Sequence, residues 1–167
     1  MSATEQAQFL AVWEHEAQAS LQVMRSLPAD RYDFRPAPGM RTLGELAWHI
    51  AEVEAYMSDG VATGRFDFTR LMPGLERPVA AAGLVPGYER VHAESVARIA
   101  GLAPEAIDRP VVLMGHERRA ADILWYALIQ HVIHHRGQLV LMCRMAGGTP
   151  PGLYGPNQEE MAAMRRG

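Results

Sequence analysis

The longest helix that this sequence predicts contains the run His131-Val132-Ile133-His134-His135-Arg136-Gly137-Gln138-Leu139. We expect this helix to extend from about Arg119 to Met145, because apolar residues recur every three or four positions and Gly147-Gly148 follows its end. Its inward face is expected to carry Ile123, Leu124, Ala127, Leu128, His131, His135, Leu139 and Met142. Two histidines therefore lie on the apolar side of the helix.

Three further helices are predicted upstream from the same kind of apolar stripe. The first runs from about Thr4 to Ser26, and the second runs from Leu43 until it fades near Asp59-Gly60. The third covers Pro86 to Ala100, with an inward face of Tyr88, Val91, Val96 and Ile99. The second helix opens on Thr42-Leu43-Gly44-Glu45, a capping box in which the hydroxyl and the carboxylate bind backbone amides of the first turn.

The segments between these helices are rich in proline and glycine. We expect an ordered loop packed on the bundle at 32–40 and a long crossover loop with at most a short helical turn at 65–86. An irregular link is expected at 101–115, with an extended appearance at 109–114. Residues 158–166 form either a short helix or a frayed end. Few segments are typical of strands, so no sheet is expected. The prediction is one all-α domain over residues 1–167, a four-helix bundle with long crossover links.

The composition excludes some classes of function. A net charge of -3 and a pI near 6.2 argue against a nucleic-acid partner, which usually requires a basic surface. We expect no bilayer-spanning segment, because no apolar stretch is long enough, and no signal peptide, because the first residues lack a basic start and a long apolar run. Its single cysteine, Cys143, is expected to be buried rather than catalytic. We therefore expect a cytoplasmic protein with neither a nucleic-acid nor a membrane partner.

His131 and His135 lie four residues apart, so on a helix both imidazoles project from one face, about one turn apart. That spacing lets one helix give a metal ion two nitrogen ligands. The best candidate for a third ligand is His49, which lies near the inward face of the second helix, next to Ile50. Three histidines would leave a coordination position for water or substrate.

Other interpretations of the histidines remain open. His131 could pair with His134 instead, although His135 shares the spacing of the inward leucines; His134 is then expected in a supporting position or at a helix interface. Glu89 and His92 form a Glu-x-x-His pair, which di-iron bundles use twice but which occurs once here. The simpler interpretation of that pair is a solvated helix face. A bundle without metal, its histidines satisfied by hydrogen bonds, is a further alternative.

Polar and aromatic residues near the histidines are candidates for supporting roles. Glu45 and Glu52 flank His49, and either could accept a hydrogen bond from its ring, although Glu45 already belongs to the capping box. A general acid or base could be His134, Glu52 or Tyr56. An apolar pocket could be lined by Trp48, Tyr56, Trp125 and Tyr126, which could equally be core residues. Arg136 and Gln138 are interpreted as helix-surface contacts or as polar groups near the site opening.

Together these motifs resemble the DinB family, the DinB/YfiT-like metalloenzymes. The resemblance rests on residues 41–50 (RTLGELAWHI), 131–139 (HVIHHRGQL) and 146–155 (AGGTPPGLYG). It implies a four-helix bundle with an up-down-down-up arrangement. It also implies a divalent metal, often zinc or nickel, held by His49, His131 and His135, and a homodimer.

The family includes thiol S-transferases that use bacillithiol or mycothiol, and a mycothiol-dependent isomerase. The resemblance therefore implies a low-molecular-weight thiol as cosubstrate, held on the metal as thiolate. We expect a metal-dependent enzyme for a small-molecule substrate, with a thiol S-transferase-like or hydrolase-like activity in which the metal activates a thiol or water. The alternative is a non-catalytic, stress-related or small-ligand-binding bundle with a structural metal.

Overall fold

Long helices form a bundle in the computed structural model, which describes residues 3–166 apart from the side chains at positions 3, 4, 104 and 105. The helices and strands, in chain order, are α1 (Ala3–Arg25), α2 (Leu43–Thr63), α3 (Leu84–Ala100), α4 (Pro104–Asp108), β1 (Pro110–Leu113), β2 (His116–Arg119), α5 (Ala120–Asp122), α6 (Gln130–Met145) and α7 (Gln158–Met164). A π-helical segment, Ile123–Ile129, joins α5 to α6, and the three pieces together make the fourth bundle helix. Short 3₁₀ turns lie at Ala29–Arg31 and Ala81–Gly83.

Each long helix packs against two others. Helices α1 and α2 each contact α3 and the fourth bundle helix. The core between them is apolar, and its largest fully buried side chains include Phe9, Trp13, Trp48, Tyr88 and Ile99. The prediction of an all-α bundle is confirmed, and α2 and α6, which carry the three candidate histidines, are direct neighbours.

The predicted helix boundaries are close to the observed ones, with two differences. Helix α2 continues to Thr63 instead of fading near Gly60, and the missing side chain at Gly60 makes room for the Phe66 ring. The helix then ends at Gly64, whose φ of 76° is the left-handed conformation typical of a C-terminal cap. Helix α3 begins two residues before Pro86, since proline is tolerated in a first helical turn.

The expectation that no strand would form was wrong for one segment. Strands β1 and β2 pair as an antiparallel hairpin, with Pro110 opposite Arg119 and Leu113 opposite His116. Met114 and Gly115 form its turn, and both have positive φ, 50° and 80°, as a type I′ turn requires. Methionine is unusual in that position and β2 is wholly polar, so the sequence pattern concealed the hairpin.

Arg136 was predicted near the surface or the site opening, and this was wrong. Its side chain is 1% exposed and donates hydrogen bonds to the Glu16 carboxylate, to the Glu16 carbonyl at 2.7 Å and to the Tyr154 hydroxyl. Tyr154 in turn donates to the Glu16 carboxylate. This buried ion pair fastens α6 to α1 and to the segment before α7.

His92 is also buried, so the solvated-face interpretation was wrong for it. Its Nδ1 lies 2.7 Å from Glu54 Oε2 and its Nε2 lies 3.2 Å from Glu14 Oε2. The Tyr88 hydroxyl donates to the other Glu54 oxygen at 2.6 Å. Glu89 faces solvent instead and pairs with Arg25 at 3.0 Å, so the Glu-x-x-His pair does not converge on one point as a di-iron ligand pair would.

The remaining predictions concern the chain end and the cysteine. Asn157 caps α7 through a second capping box, so the final segment is a short helix rather than a frayed end. Cys143 is fully buried, as predicted, with its sulfur 3.5 Å from the Ser26 carbonyl oxygen. Between residues 3 and 166, no helix has both the length and the apolar character needed to cross a membrane.

Candidate metal centre

Three histidines from two neighbouring helices come together on one side of the bundle. His49 projects from α2, and His131 and His135 project from successive turns of α6. One ring nitrogen of each lies within 4.8 Å of the others, and the ring centroids are 4.6–5.6 Å apart. Within the described part of the chain, no other group of three or more histidine, cysteine or acidic side chains has this geometry.

The capping box explains why His49 is well placed. The Thr42 hydroxyl accepts a hydrogen bond from the Glu45 amide at 3.1 Å, and the Glu45 carboxylate accepts one from the Thr42 amide at 2.6 Å. Both halves of the predicted box are therefore present, and they fix the first turn of α2. His49 follows one turn later, and its side chain is 18% exposed.

Two of the three imidazoles have a partner that fixes the ring. The His49 Nδ1 lies 3.0 Å from Glu52 Oε2, and the His135 Nδ1 lies 2.7 Å from Gln138 Oε1. Each Nδ1–H donates to these oxygens, which leaves the Nε2 lone pair directed into the cluster. Such a partner on the far ring nitrogen is typical of metal-binding histidines.

The environment keeps the α6 histidines neutral. Burial, together with repulsion from His49, His131 and His134, lowers the pKa of His135 to about 4, although its bond to Gln138 acts in the opposite direction. Burial, followed by the positive potentials of His49, His134 and Arg41, also lowers the pKa of His131. A metal ion binds the neutral form of imidazole. Because these two rings are already neutral near pH 7, they need not release a proton when a metal binds.

The donor set therefore fits a divalent transition-metal ion. Three neutral nitrogens from two helices suit zinc, nickel, copper or iron(II). The Nε2 atoms of His131 and His135 are 2.7 Å apart, and a tetrahedral ion about 2.1 Å from each would hold them about 3.4 Å apart. Small rotations of the two side chains are enough to increase the distance between the Nε2 atoms to that value.

Two of the three histidines, His49 and His131, line a cavity of about 410 Å³. His49, His131, Glu52 and Arg41 form its polar part, and apolar side chains form most of the remainder: Val53, Met57, Phe68 and Met114. Met114 reaches the cavity from the turn between β1 and β2, so the unexpected hairpin contributes to the site. A group bound at the histidines would be accessible to a small molecule.

The other candidates from the sequence have different surroundings. His134 is exposed and does not line the cavity; its ring lies 5.0 Å from that of His135. Tyr56 lines the cavity, but its hydroxyl donates to the Arg70 carbonyl at 2.8 Å, and burial, followed by the charge of Glu52, raises its pKa. Trp48 is a core residue and Tyr126 is exposed. Trp125 packs on the ring of Phe9 and not on the cavity.

Comparison with known proteins identifies the family of the chain. The model of the DinB superfamily matches residues 13–139. The chain belongs to the DinB superfamily. The "Uncharacterized protein YrdA" of Bacillus subtilis (strain 168) is 33% identical to this DinB-superfamily chain over 161 residues, which cover 92% of the chain and 90% of the relative.

Two solved structures share its fold. A DinB-like protein from Bacillus cereus, 28% identical, aligns with a TM-score of 0.72 over 87% of this DinB-superfamily chain and 95% of its own length. The DinB-like protein YjoA of Bacillus subtilis, 20% identical, aligns with a TM-score of 0.73 over 90% of this chain and 99% of its own length. The similarity to YjoA concerns the fold alone. None of these three names states a reaction.

Some residues around the site were not found from the sequence. Gln138 was predicted only as a helix-surface contact or a polar group near the site opening, whereas it fixes the ring of His135. Its spacing of three residues from His135 was the signal that could have found it. Arg41, Phe68 and Met114 lie in loops and turns, where no periodic pattern indicates which side chains face the cavity.

Proposed function

We propose that this protein is a divalent-metal-dependent enzyme acting on a small molecule, with a thiol S-transferase-like or hydrolase-like activity. His49, His131 and His135 would bind the ion, with zinc or nickel as the expected metal. A bound ion would lower the pKa of a coordinated thiol or water and so supply a nucleophile near neutral pH. The thiol would be a low-molecular-weight cosubstrate.

The observation that carries this proposal is the open side of the histidine cluster. Structural metal sites are usually closed by a fourth protein ligand, whereas catalytic sites keep a position for water or substrate. Here the described residues supply three ligand nitrogens, and the cluster faces a cavity of about 410 Å³. The cavity is large enough for a small organic molecule.

The surrounding residues would hold the reacting groups in place. Glu52 and Gln138 orient the rings of His49 and His135. The apolar wall formed by Val53, Met57 and Phe68 would exclude water from the reacting atoms. Glu52 also borders the cavity, and is the side chain best placed to take a proton from an entering thiol or water.

The test is metal content followed by thiol transfer. We expect the purified, untagged protein to bind about one zinc or nickel ion per chain, and His49→Ala and His135→Ala to lose it. His134→Ala is the matched control for metal content, because His134 is adjacent in sequence but exposed. The metal-loaded protein is then assayed with thiols and electrophiles. Absence of metal from the wild type, even after reconstitution, would refute the proposal.

A second candidate function is non-catalytic binding of a small ligand at a structural metal. One observation favours it: Glu52 is engaged with His49 and the Tyr56 hydroxyl with a backbone carbonyl, so the acid–base groups at the cavity already have partners. A protein that binds metal and thiol stoichiometrically, yet transfers no thiol to any electrophile, would support this alternative.

We also propose that the protein is a homodimer. Apolar side chains on the fourth bundle helix face solvent: Ile133, Leu141 and Met145 are 36%, 61% and 52% exposed. Exposed apolar patches on a bundle helix are typical of subunit interfaces. A second copy would bury them.

A further inference from the structure

A second cavity, of about 370 Å³, borders the histidine cavity. Three arginines line it, Arg35, Arg41 and Arg77, together with the carboxylates of Glu45 and Glu52. Arg41 and Glu52 line both cavities, so they mark the boundary between the two. One small molecule could therefore occupy both.

The arginines differ in how far their charge is already balanced. Arg35 is 3.2 Å from Glu45, so these two charges largely cancel. Arg77 donates to the Tyr32 hydroxyl at 3.1 Å, a neutral partner, and lies over the Tyr32 ring. Arg41 is exposed and has no hydrogen bond or ion pair with any residue between 3 and 166. Among the described residues, Arg41 and Arg77 thus form no ion pair, although the charge of Arg77 also acts on the nearby Glu45 carboxylate.

The two carboxylates do not cancel this positive charge. Glu45 is held by the Thr42 amide and by Arg35, and these contacts lower its pKa. Glu52 is directed toward the ring of His49. The field of Arg41 reaches the histidines, since Arg41 is among the charges that disfavour protonation of His131. The lining of the second cavity therefore has three arginines against two glutamates, an excess of one positive charge.

Arg77 is held in place by packing against the start of α2. The Tyr32 ring beneath it lies directly on Gly44, at a distance that leaves no room for a side chain there. The Tyr32 hydroxyl also donates to the Pro78 carbonyl. A guanidinium held over a fixed ring loses little conformational freedom when it binds an anion.

We propose that the molecule handled at the histidine site carries a carboxylate or phosphate group, which binds in the second cavity to Arg41 and Arg77. The inference rests on the proposed function for the other end of the molecule. Guanidinium groups bind both anions through paired N–H donors, so the shared chemistry is a small oxyanion. The apolar wall beside the histidines would contact the rest of the molecule.

The first experiment needs no metal. Binding of succinate, inorganic phosphate and neutral succinamide to the metal-free protein is measured by calorimetry at constant ionic strength, because salt screens exposed charges. We expect one or both anions to bind and succinamide not to bind. Arg41→Gln and Arg77→Gln should each weaken anion binding about tenfold, the effect of losing one charged hydrogen-bond donor.

Arg165→Gln is the matched control, because Arg165 is exposed and lines neither cavity. It should bind the anions as the wild type does. The relative strengths of succinate and phosphate binding decide which oxyanion the cavity prefers. Failure of the wild type to bind either anion, or equal weakening in all three variants, would overturn the inference.

A second experiment tests whether one molecule binds in both cavities at the same time. Cobalt(II)-loaded protein is titrated with 6-mercaptohexanoate and with 6-mercaptohexanol, following the thiolate-to-cobalt absorption band. The carboxylate should bind more tightly than the alcohol in the wild type, and Arg41→Gln should reduce this preference about tenfold. Equal binding of the two thiols to the wild type would show that the arginines do not serve the histidine site. Loss of cobalt from His135→Ala tests the proposed function separately.

Discussion

The ring of His49 has a fixed orientation because Glu52, one turn further along α2, accepts a hydrogen bond from its Nδ1. Partners of this kind raise the affinity of a ligand for its metal about 10- to 100-fold. We therefore predict that Glu52→Ala weakens zinc binding within that range while leaving the fold intact. Competition with a chromophoric chelator measures the change.

Two variants make the measurement specific. Glu52→Gln retains an oxygen acceptor and should recover part of the affinity. Glu94→Ala removes an exposed carboxylate of α3, which pairs with Arg90, and should bind zinc as the wild type does. Equal affinity in Glu52→Ala and the wild type would show that the hydrogen bond does not orient a ligand.

The ion pair of Arg136 with Glu16 is almost wholly buried. Removal of one partner leaves a buried charge without compensation, which costs about 3–5 kcal/mol. We predict a loss of this size in the free energy of unfolding for Arg136→Met. The double variant with Glu16→Leu should regain much of it, because no unpaired charge remains. Urea denaturation measures both.

Arg144 and Glu159 provide the comparison, since this pair is 38% and 50% exposed. Exposed pairs contribute about 0–1 kcal/mol. Arg144→Met should therefore change the free energy of unfolding little. A similar loss for Arg136→Met and Arg144→Met would contradict the assignment of the first pair to the core.

Helix α2 and the loop before it fit together through the missing side chain of Gly44. A Cβ there would collide with the ring of Tyr32, which cannot swing away freely because its hydroxyl is bound to the Pro78 carbonyl. We predict that Gly44→Ala lowers the free energy of unfolding by about 1–3 kcal/mol, the usual cost of overpacking. Thermal and urea unfolding measure it.

Gly137 of α6 is the matched control, because within one molecule a Cβ at this helical glycine would meet nothing within 4 Å beyond its own helical turn. Gly137→Ala should stabilise the protein by about 0.5–1 kcal/mol, as alanine does in an open helix position. The two substitutions are chemically identical, so opposite signs would arise from the surroundings alone. A stabilising Gly44→Ala would contradict the packing described.

Helices α1, α2 and α3 meet at His92, which lies between Glu14 and Glu54 and beside Tyr88. Burial alone would lower the pKa of His92, but its bonds to Glu54 and Glu14 outweigh that effect and raise the pKa. The protonated ring therefore stabilises the fold fully below the unfolded-state pKa of about 6.5, and this stabilisation is lost as the pH rises through the higher folded-state pKa.

We predict that the stability advantage of the wild type over His92→Gln shrinks as the pH rises from about 6 to 9. Urea denaturation of both metal-free proteins across this range measures the difference. The two proteins differ at this position alone, so the comparison isolates the contribution of His92. A constant difference between wild type and variant would show that His92 does not bind a proton more tightly in the folded state.

The sequence predicted the helices and their buried apolar faces, but it did not predict which polar side chains the bundle buries. Helix α1 and the capping box of α2 agree with their predictions because apolar spacing and local capping are encoded within one segment. The burial of His92 and Arg136 depends on carboxylates of other helices, which no local pattern indicates. The hairpin was missed because its turn uses Met114 and its second strand is polar. The histidine cluster was anticipated, whereas the arginine cavity depends on loops.

In a single molecule, the exposed apolar side chains of the fourth bundle helix face solvent. If a second molecule covers them, Leu141→Glu should weaken the dimer at least tenfold, because a carboxylate would be buried without a partner. Sedimentation equilibrium measures the association. Leu71→Glu, at a loop position that is 90% exposed, is the control and should leave association unchanged. A monomeric wild type would refute the proposed homodimer.

The three histidines come from α2 and α6, helices that are far apart along the chain and adjacent in space. An ion held by both would act as a reversible crosslink, because the unfolded chain would have to release it or stay closed into a long loop. Protease resistance would then follow the supply of metal. A molecule made in a metal-starved cell would open more often and be degraded sooner, so the amount of this protein would itself reflect how much metal the cell contains.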